Sequence, residues 1–526
     1  MNNEKTMIIH KFLKNAVLNF PDKPYLFYEG RQITYRELDA VSDRLACSFL
    51  EMGIGRGDKI AIVAPNQPEW LYTYFAAVKI GAAVVALNVR YRLAEFEYML
   101  NNSESKALVC VGEYGGFNFS GFFKENRARF PTVEKYIYIG GGFEGGIAFA
   151  DLTAGELPDK DRLDRVREKV AESDTAVIIY TSGTTGKPKG AMITNRSILA
   201  SAMAEVDHFR LAEGDVFIGN LPLNHVGGIT CTITTSLIKG GSVVLIPSFR
   251  PDLVLEAMEK FRVTVFGGVP TMYVMMLSLP DFNKYDLSAV RICIAGGSNV
   301  EPRLCADITR AFPNARLLNL YGLSETSGAS VLSRLDDPPE KVGESIGVVI
   351  GDFKVRVVGE GGNDLPAGEI GELAFKGDCV AAGYYGLKEE TDEAFKDGWV
   401  FTGDMGCVDE EGYIYLKGRK KEMYIQGGFN VYPVEIENIL TRHPKVLVAA
   451  GIGVPDPVFG EVGRFYIIPR PGEVLTEEEI IAYCRQNLAD YKVPRQIEFV
   501  SELPLTPAGK VHKALLKERC LNQKVN

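Results

Sequence analysis

The chain contains little of what a disulfide-stapled or zinc-binding protein needs. It has nine cysteines in 526 residues, and no two of them have the C-x-x-C spacing that is typical of a zinc site. The thiols are too sparse and scattered to form a disulfide framework. The cysteine content therefore favours a reducing compartment, and we expect a cytoplasmic protein.

The sequence also lacks a membrane-spanning run and a secretory leader. Its most apolar stretch, residues 263–279, is shorter than the roughly 20 residues that a spanning helix requires. That stretch also contains Gly267, Gly268 and Pro270. Residues 1–12 are charged and have no apolar core. We therefore predict no export and no integral membrane segment.

The chain has fewer positively charged than negatively charged residues. The chain has 58 Lys and Arg against 68 Asp and Glu, which gives a formal net charge of -10 and an isoelectric point near 5.3. An acidic protein is not attracted as a whole to nucleic acid or to an anionic membrane. We expect neither as a partner, so any phosphate chemistry must come from local sites.

Apolar residues and glycine are abundant, at 46% hydrophobic residues and 54 glycines. Helical spacing over residues 38–52 is followed by a buried-strand pattern at 59–63, and residues 70–87 repeat helix then strand. This alternation predicts an α/β fold, with helices flanking partly parallel sheets. Short strands separated by turns predict a small β-rich subdomain over residues 343–416.

A basic cluster marks the predicted domain boundary. The triplet at 419–421 is followed by the glycine pair 427–428 and then by a compact run with helices of its own. We predict a large N-terminal domain over residues 1–419, a small mobile α+β C-terminal domain over residues 422–526, and a hinge near 420–421.

The segment 180–190, which reads Y-T-S-G-T-T-G-K-P-K-G, follows a β-branched apolar strand pattern. Its glycines let backbone N–H groups point at a phosphate. Its hydroxyls add further donors, and Lys189 adds positive charge. A flexible surface loop is the alternative, but so polar a segment directly after a buried strand argues against it. The predicted phosphate-binding residues are Thr181, Ser182, Gly183, Thr184, Thr185 and Lys189.

This loop is not a Walker A motif. That motif has four residues between its glycines and a Ser or Thr after its lysine. Here two residues separate the glycines, and Pro188 follows Lys187. The spacing excludes a P-loop kinase or GTPase, so a different nucleotide chemistry is required.

The loop resembles the phosphate-binding motif of the adenylate-forming superfamily, which includes acyl-CoA synthetases, peptide-synthetase adenylation domains and firefly luciferase. Further motifs follow in the family's order, at 221–225 (L-P-L-N-H), 321–326 (Y-G-L-S-E-T), 371–373 with 383–384, 401–404 (F-T-G-D), 418–419 and 504–510 (P-L-T-P-A-G-K). The resemblance covers essentially the whole chain, and several independent motifs in one order make it specific.

The resemblance implies an acyl-CoA synthetase that converts a carboxylic acid and ATP to an acyl-adenylate and pyrophosphate, then transfers the acyl group to CoA. The expected partners are the acid, ATP, CoA and Mg²⁺, with a homodimer left open. Because the first step joins two anions, cations and oriented N–H groups must stabilise charge at the α-phosphate.

The resemblance also assigns the catalytic residues. Lys510 matches the lysine that bridges the carboxylate and the α-phosphate, and Glu325 matches the magnesium ligand. His225 matches a residue at the mouth of the acyl pocket that gates access of the thiol. Ser324 replaces the threonine of most members and keeps the hydroxyl for the α-phosphate.

At the nucleotide, Tyr321 matches an aromatic residue that stacks on adenine. Asp404 matches the acid that accepts hydrogen bonds from the ribose hydroxyls, and Arg419 matches a second ribose or phosphate contact. The remaining nucleotide positions implied are Gly297, Asn319 and Leu320.

For the second half-reaction, Lys421 matches the family's hinge, and Gly427 and Gly428 match the loop that lines the pantetheine tunnel. The chain departs from related ligases at one position. Where they often carry a CoA-binding lysine after a strand, it has Ser248, with Arg250 two residues on.

The pocket segment 221–240 contains no Asp or Glu, unlike amino-acid-activating relatives. We therefore expect a mostly apolar acid, with medium-chain fatty, aryl and alicyclic acids all open. Glycines at 227–228, 267–268 and 296–297 are expected to provide space in the pocket. Three methionines at 272, 275 and 276 are expected to form adaptable walls, with core packing as their alternative role.

Two other functions stay open at this point. The chain ends shortly after Lys510, so we expect free CoA as acceptor, but an acyl-AMP ligase that loads a separate carrier protein is an alternative. A catalytically silent nucleotide-binding relative is the other, and the set of Glu325, Asp404, Arg419 and Lys510 argues against it.

Overall fold

The computed structural model describes residues 6–157, 159–181, 187–297, 300–506 and 511–523. Two largely parallel sheets form the centre of the fold. The first has nine strands, in the spatial order Val348–Val349, Gly328–Leu332, Arg316–Leu323, Ile292–Gly296, Val265–Gly268, Val216–Gly219, Ser242–Leu245, Pro24–Tyr28 and Arg31–Thr34. The second has seven, in the order Lys189–Thr194, Thr175–Thr181, Ala83–Leu87, Lys59–Val63, Ala107–Val111, Lys135–Ile139 and Ile147–Ala148.

Two further sheets follow along the chain. An antiparallel five-stranded sheet contains Lys354–Val358, Gly371–Lys376, Phe395–Lys396, Trp399–Val408 and Ile414–Arg419. The last sheet contains Tyr424–Gln426, Phe429–Val431, Val446–Asp456, Gly460–Pro469 and Gln496–Phe499. A small hairpin pairs Glu113–Tyr114 with Phe117–Asn118.

Helices cover the sheets and connect their strands. The α-helices are Ile9–Asn19, Tyr35–Glu51, Pro68–Lys79, Leu93–Asn102, Phe119–Glu125, Phe149–Thr153, Lys160–Arg167, Asn195–His208, Val226–Gly228, Thr235–Ile238, Pro251–Lys260, Pro270–Leu277, Pro302–Ala311, Pro339–Glu344, Lys388–Ala394, Pro433–Thr441, Glu477–Asn487 and Lys513–Gln523. Short 3₁₀ turns are Arg127–Arg129, Phe282–Lys284, Ser324–Thr326 and Asp490–Lys492.

The predicted α/β architecture is confirmed. The strand predicted at 59–63 is Lys59–Val63, and the helix predicted at 38–52 is Tyr35–Glu51. The helix begins earlier than its apolar pattern because Thr34 caps it, accepting a hydrogen bond from the Glu37 N–H at 3.1 Å.

The helix Pro68–Lys79 is apolar on nearly all sides and is buried accordingly. It ends in Lys79, whose side chain is only 1% exposed. The ammonium lies 2.6 Å from Asp39 Oδ1 and 2.5 Å from Asp43 Oδ1. Burial alone would raise the pKa of Asp39, but the Lys79 charge lowers it. A charge this deep needs its partners, so these ion pairs fix the packing of two core helices.

The helical segment at 226–238 contains a π-turn, Ile229–Thr234. Hydroxyls of three threonines donate to carbonyls five residues earlier, namely Thr232, Thr234 and Thr235. The Thr235 hydroxyl also lies 3.0 Å from Glu205 Oε2, on the neighbouring helix Asn195–His208. Glu205 is fully buried, and this burial raises its pKa to about 7 despite hydrogen bonds that lower it.

The raised pKa of Glu205 predicts a pH-dependent stability. The folded state keeps a proton that the unfolded chain releases above its ordinary pKa of 4.5. Stability is therefore highest below that value and falls as the pH rises toward 7. Glu205→Gln should remove up to about 3 kcal/mol of this loss. Urea denaturation midpoints between pH 4.5 and 8 measure the effect.

The control is Glu256→Gln, which makes the same chemical change at an exposed position. The urea midpoint of Glu256→Gln should change with pH as that of the wild type does. If the midpoint of Glu205→Gln shows the same pH dependence as the wild type, Glu205 does not hold an extra proton in the folded protein.

Candidate active site

Two antiparallel strands carry the ends of the predicted phosphate loop. Thr175–Thr181 runs into the loop and Lys189–Thr194 returns from it, with Thr181 opposite Lys189. Ser182, Gly183, Thr184 and Thr185 lie outside the described residues, as does Lys510. Thr181 and Lys189 therefore define the two sides of the loop.

A segment around Tyr384 runs beside the returning strand. The Met192 N–H donates to the Gly383 carbonyl at 2.9 Å, and the Tyr385 N–H donates to the Gly190 carbonyl at 2.8 Å. Lys189 Nζ consequently lies 5.1 Å from the centroid of the Tyr384 ring. This arrangement brings a cation and a tyrosine together beside the end of the predicted phosphate loop.

Glu325 meets the same tyrosine from another sheet. It lies in the turn Ser324–Thr326, directly after the strand Arg316–Leu323, and its Oε1 accepts a hydrogen bond from the Tyr384 hydroxyl at 2.8 Å. The Ala381 N–H donates to the Glu325 carbonyl at 2.9 Å. Burial and the Glu325 charge both raise the pKa of Tyr384, so its hydroxyl remains a donor.

The sequence shows Tyr384 only as part of a motif and does not indicate its contact with Glu325. The two residues are far apart in the chain, and only the packing of the 383–385 segment brings them together. The signal in the sequence is the tyrosine that directly follows Gly383 within the motif.

Asp404 is a buried carboxylate, 5% exposed, that is bonded from two directions. The Tyr321 hydroxyl donates to Oδ2 at 2.6 Å, and Arg419 Nε lies 2.6 Å from Oδ1. Asp404 and Arg419 are direct partners across neighbouring strands, which explains the ion pair. Burial and Asp404 both raise the pKa of Tyr321, and its ring lies 5.8 Å from that of Phe375.

The other predicted nucleotide residues lie at adjoining strand ends. Gly296 pairs with Leu320, and Gly297 follows with a φ of 78°. The Asn319 amide donates to the carbonyls of Val342 and Ser345, both at 3.2 Å. Asn319 therefore secures the loop that leaves the small helix Pro339–Glu344.

His225 begins the helical segment at 226–238. Its Nδ1 accepts a hydrogen bond from the Gly227 N–H at 3.1 Å, so the neutral ring carries its proton on Nε2. Gly267 offers space, since an added Cβ would meet only Leu221 Cδ1 at 4.0 Å. Gly228 and Gly296 do not, because a Cβ would lie 2.2 Å and 2.5 Å from backbone carbonyl oxygens. The prediction that these two glycines provide pocket space is wrong; they permit close backbone packing.

The prediction that methionines form a pocket wall is wrong for Met276. Met276 is fully buried in the core with Tyr273, which was its alternative role, and Met275 is 46% exposed. Met272 lies near the pocket segment, where its sulfur is 3.3 Å from Asn220 Nδ2. The sequence pattern gives no sign of Glu205, which lies outside 221–240 but accepts a hydrogen bond from Thr235 of that segment.

Lys421, the predicted hinge residue, lies between two residues that are held by hydrogen bonds or ion pairs. On one side, the Lys420 N–H donates to the Gly403 carbonyl at 2.8 Å, and Lys420 Nζ lies 3.1 Å from Glu372 Oε2. On the other side, Glu422 forms an ion pair with Lys513. Lys421 itself is exposed.

The loop implied for the pantetheine tunnel is exposed in this arrangement. Gly427 and Gly428 have φ values of 59° and 88°, a region that favours glycine. At the implied CoA position, Arg250 is exposed and forms an ion pair with Asp252.

Within the described part of the chain, no three His, Cys, Asp or Glu side chains are grouped to hold a metal ion. A Mg²⁺ bound with a nucleotide needs only one or two carboxylates beside the phosphates, and Glu325 fits that role. In the same described ranges, no helix is long and apolar enough to cross a membrane. All nine cysteines are free thiols and buried.

Comparison with known proteins extends this geometry to the whole chain. The model of the AMP-binding enzyme family matches residues 13–385, and that of the AMP-binding enzyme C-terminal domain matches residues 435–510. The chain is 33% identical to the putative acyl-CoA synthetase YngI of Bacillus subtilis (strain 168), over 98% of this chain and 97% of that protein. It is 35% identical to a feruloyl-CoA synthase of an Amycolatopsis species, over 93% and 94%.

Solved structures agree. The crystal structure of the anthranilate CoA ligase AuaEII in complex with anthranoyl-AMP has a TM-score of 0.87 and 27% identity, covering 97% of both chains. Family motifs, full-length relatives and fold all coincide. The chain therefore belongs to the AMP-binding enzyme family of the adenylate-forming superfamily, as an ATP-dependent, AMP-forming ligase of the acyl-CoA synthetase class.

Proposed function

We propose that the enzyme activates a mostly apolar carboxylic acid with ATP and transfers the acyl group from the adenylate to free CoA. The observation that carries this proposal is the meeting of Lys189 and Glu325 on Tyr384 at the edge of the phosphate loop. That contact supports the proposal, because a nucleoside triphosphate is bound by cations on its phosphates and by a carboxylate that holds its Mg²⁺.

In the first half-reaction, a carboxylate oxygen attacks the α-phosphate and pyrophosphate leaves. Lys510 bridges the two anions, and Ser324 and Lys189 stabilise the phosphate charge. Mg²⁺, when bound, neutralises phosphate charge beside Glu325. The Tyr384 hydroxyl engages one oxygen of Glu325 and so fixes the direction of its carboxylate.

Asp404 holds the ribose in this proposal. Its two oxygens are oriented by Tyr321 and Arg419, and an ionised carboxylate can still accept hydrogen bonds from a diol. Tyr321 lies against adenine, with Gly297, Asn319 and Leu320 at the adjoining strand ends.

The acid is mostly apolar because the pocket segment has no Asp or Glu, while Glu205 behind it is fully buried. The relatives include a feruloyl-CoA synthase, a long-chain-fatty-acid CoA ligase and an indoleacetate CoA ligase. Aryl, fatty and alicyclic acids therefore all belong in the first screen. His225 gates thiol access at the mouth of the pocket.

The proposal includes two domains, residues 1–419 and 422–526, which pivot at Lys421 between the half-reactions. In the second arrangement, Gly427 and Gly428 line the path of the CoA thiol.

A reducing, cytoplasmic setting suits nine free buried thiols. The oligomeric state is a separate question, and light scattering of the purified protein decides between monomer and homodimer.

The decisive experiment measures pyrophosphate release over a panel of carboxylic acids, with and without CoA. We expect release with at least one apolar acid, and the acyl-CoA product only when CoA is present. If product forms only with a carrier protein, the enzyme is an acyl-AMP ligase, and if no acid releases pyrophosphate, the chain is a catalytically silent relative.

If the enzyme releases pyrophosphate with an acid, Lys510→Ala should slow adenylation by about 100-fold or more, because the two anions lose their bridging cation.

The same variant should leave CoA transfer from supplied acyl-adenylate nearly intact. Lys517→Ala, an exposed lysine in the following helix, is its control and should be normal in both steps. Equal loss of both half-reactions in Lys510→Ala would assign that lysine a structural or shared role.

Asp404→Asn should weaken ATP binding by about 10- to 100-fold, since it removes a charge-assisted contact worth on the order of 1.5–3 kcal/mol. Isothermal titration with ATP measures the change. Asp397→Asn makes the same substitution at an exposed turn of the same sheet and should bind normally. An unchanged affinity in Asp404→Asn excludes that residue from the ribose site.

Tyr384→Phe removes the hydroxyl that orients Glu325 but keeps the ring near Lys189. We expect ATP binding to need a several-fold higher Mg²⁺ concentration, because the carboxylate is no longer held in one direction. Titrations with ATP at several Mg²⁺ concentrations measure this shift.

The neighbouring Tyr385→Phe is the matched control. Its hydroxyl bonds to Glu104 and Lys59 instead, so its Mg²⁺ dependence should be that of wild type. An identical Mg²⁺ dependence in Tyr384→Phe would show that the hydroxyl does not position Glu325.

A further inference from the structure

The ends of the loop that carries Lys510 are fastened to each other. Leu505 and Val511 form an antiparallel bridge, and the His512 N–H donates to the Pro504 carbonyl at 2.7 Å. His512 Nδ1 also accepts a hydrogen bond from the Leu515 N–H at 3.1 Å, at the start of the helix Lys513–Gln523. The base of the loop therefore has a defined place in the C-terminal sheet and helix.

Lys513 extends this fastening toward the hinge. Its Nζ lies 2.8 Å from Glu422 Oε2 and 2.8 Å from Glu437 Oε1, and its side chain is 19% exposed. Burial opposes the charge, but the two carboxylates outweigh it and raise the pKa of Lys513. Glu437 Oε1 is itself held by the Gly451 N–H at 2.7 Å, on the strand Val446–Asp456.

The position of Glu422 gives this ion pair its significance. Glu422 directly follows Lys421, whereas Lys420, on the other side, is bonded to Gly403 and Glu372. The side chains on either side of Lys421 are thus held by different parts of the chain, Lys420 by Glu372 and Glu422 by Lys513. The Glu422 N–H also donates to the Arg419 carbonyl at 3.0 Å, so the backbone turn itself is closed across Lys421. Rotation at Lys421 would carry Glu422 and Lys513 together.

We propose that Lys513 is a positioning residue that couples the hinge to the catalytic loop, so that rotation at Lys421 sets the position of Lys510. The inference rests on the proposed role of Lys510. Adenylation depends on the exact placement of that lysine, and a displacement of about 1 Å can cost on the order of 100-fold in rate. CoA transfer from a preformed adenylate does not use it.

The test compares Lys513→Met, which keeps the apolar stem, with Lys513→Arg, which keeps the charge. Lys513→Met should lower kcat for pyrophosphate release by about 10- to 100-fold, with KM for ATP and acid within about threefold. CoA transfer from supplied adenylate should stay within about threefold, and Lys513→Arg should recover most of the lost rate. Lys517→Met, with the same change on an exposed side of the helix, should behave as wild type.

Adenylation within about twofold of wild type in Lys513→Met overturns the proposal, and so does an equal loss of both half-reactions. If Lys513→Met does not fold, Glu422→Gln removes one partner and leaves Glu437. That variant should slow adenylation selectively by about three- to tenfold, and no effect overturns the coupling.

Lys510→Ala separates failure of this inference from failure of the proposed function. An inactive Lys510→Ala beside a normal Lys513→Met refutes only the coupling. An active Lys510→Ala refutes the role of Lys510 and the coupling with it.

Discussion

One buried carboxylate, Asp404, joins two of the sheets. Tyr321 reaches it from the nine-stranded sheet, whereas Arg419, on the last strand before the predicted hinge, is its partner within the five-stranded antiparallel sheet. Hydrogen bonds to an ionised group are short and directional, so they hold these parts in a fixed relation. The carboxylate would be costly to bury without both donors. The predicted nucleotide site and the strand that leads to the predicted hinge therefore depend on the same carboxylate.

A second constraint is the balance of charge around the phosphate loop. The protein has excess negative charge overall, yet the first chemical step brings two anions together. Under the proposed function this demand is met locally. Lys189 contacts the ring of Tyr384 and Glu325 contacts its hydroxyl, which leaves the cation for phosphate and the carboxylate for Mg²⁺.

The sequence was sufficient for what depends on local pattern. Alternating apolar segments predicted the strand Lys59–Val63 and the helix Tyr35–Glu51, and motif spacing predicted the family. It was insufficient where distant segments pack together. Nothing near Glu325 indicates that Tyr384 bonds to it. The different environments of Gly228 and Gly267 depend on the surrounding backbone, which the pattern of glycines does not describe.

The π-turn Ile229–Thr234 sets how the two ends of the segment 226–238 are rotated relative to each other. In an α-helix, one additional residue rotates everything that follows by about 100°. Deleting a single residue from this turn would leave His225 in place while turning Thr235 away from Glu205. A change of length at this point would therefore alter the contact between Thr235 and Glu205 while His225 keeps its place at the start of the segment.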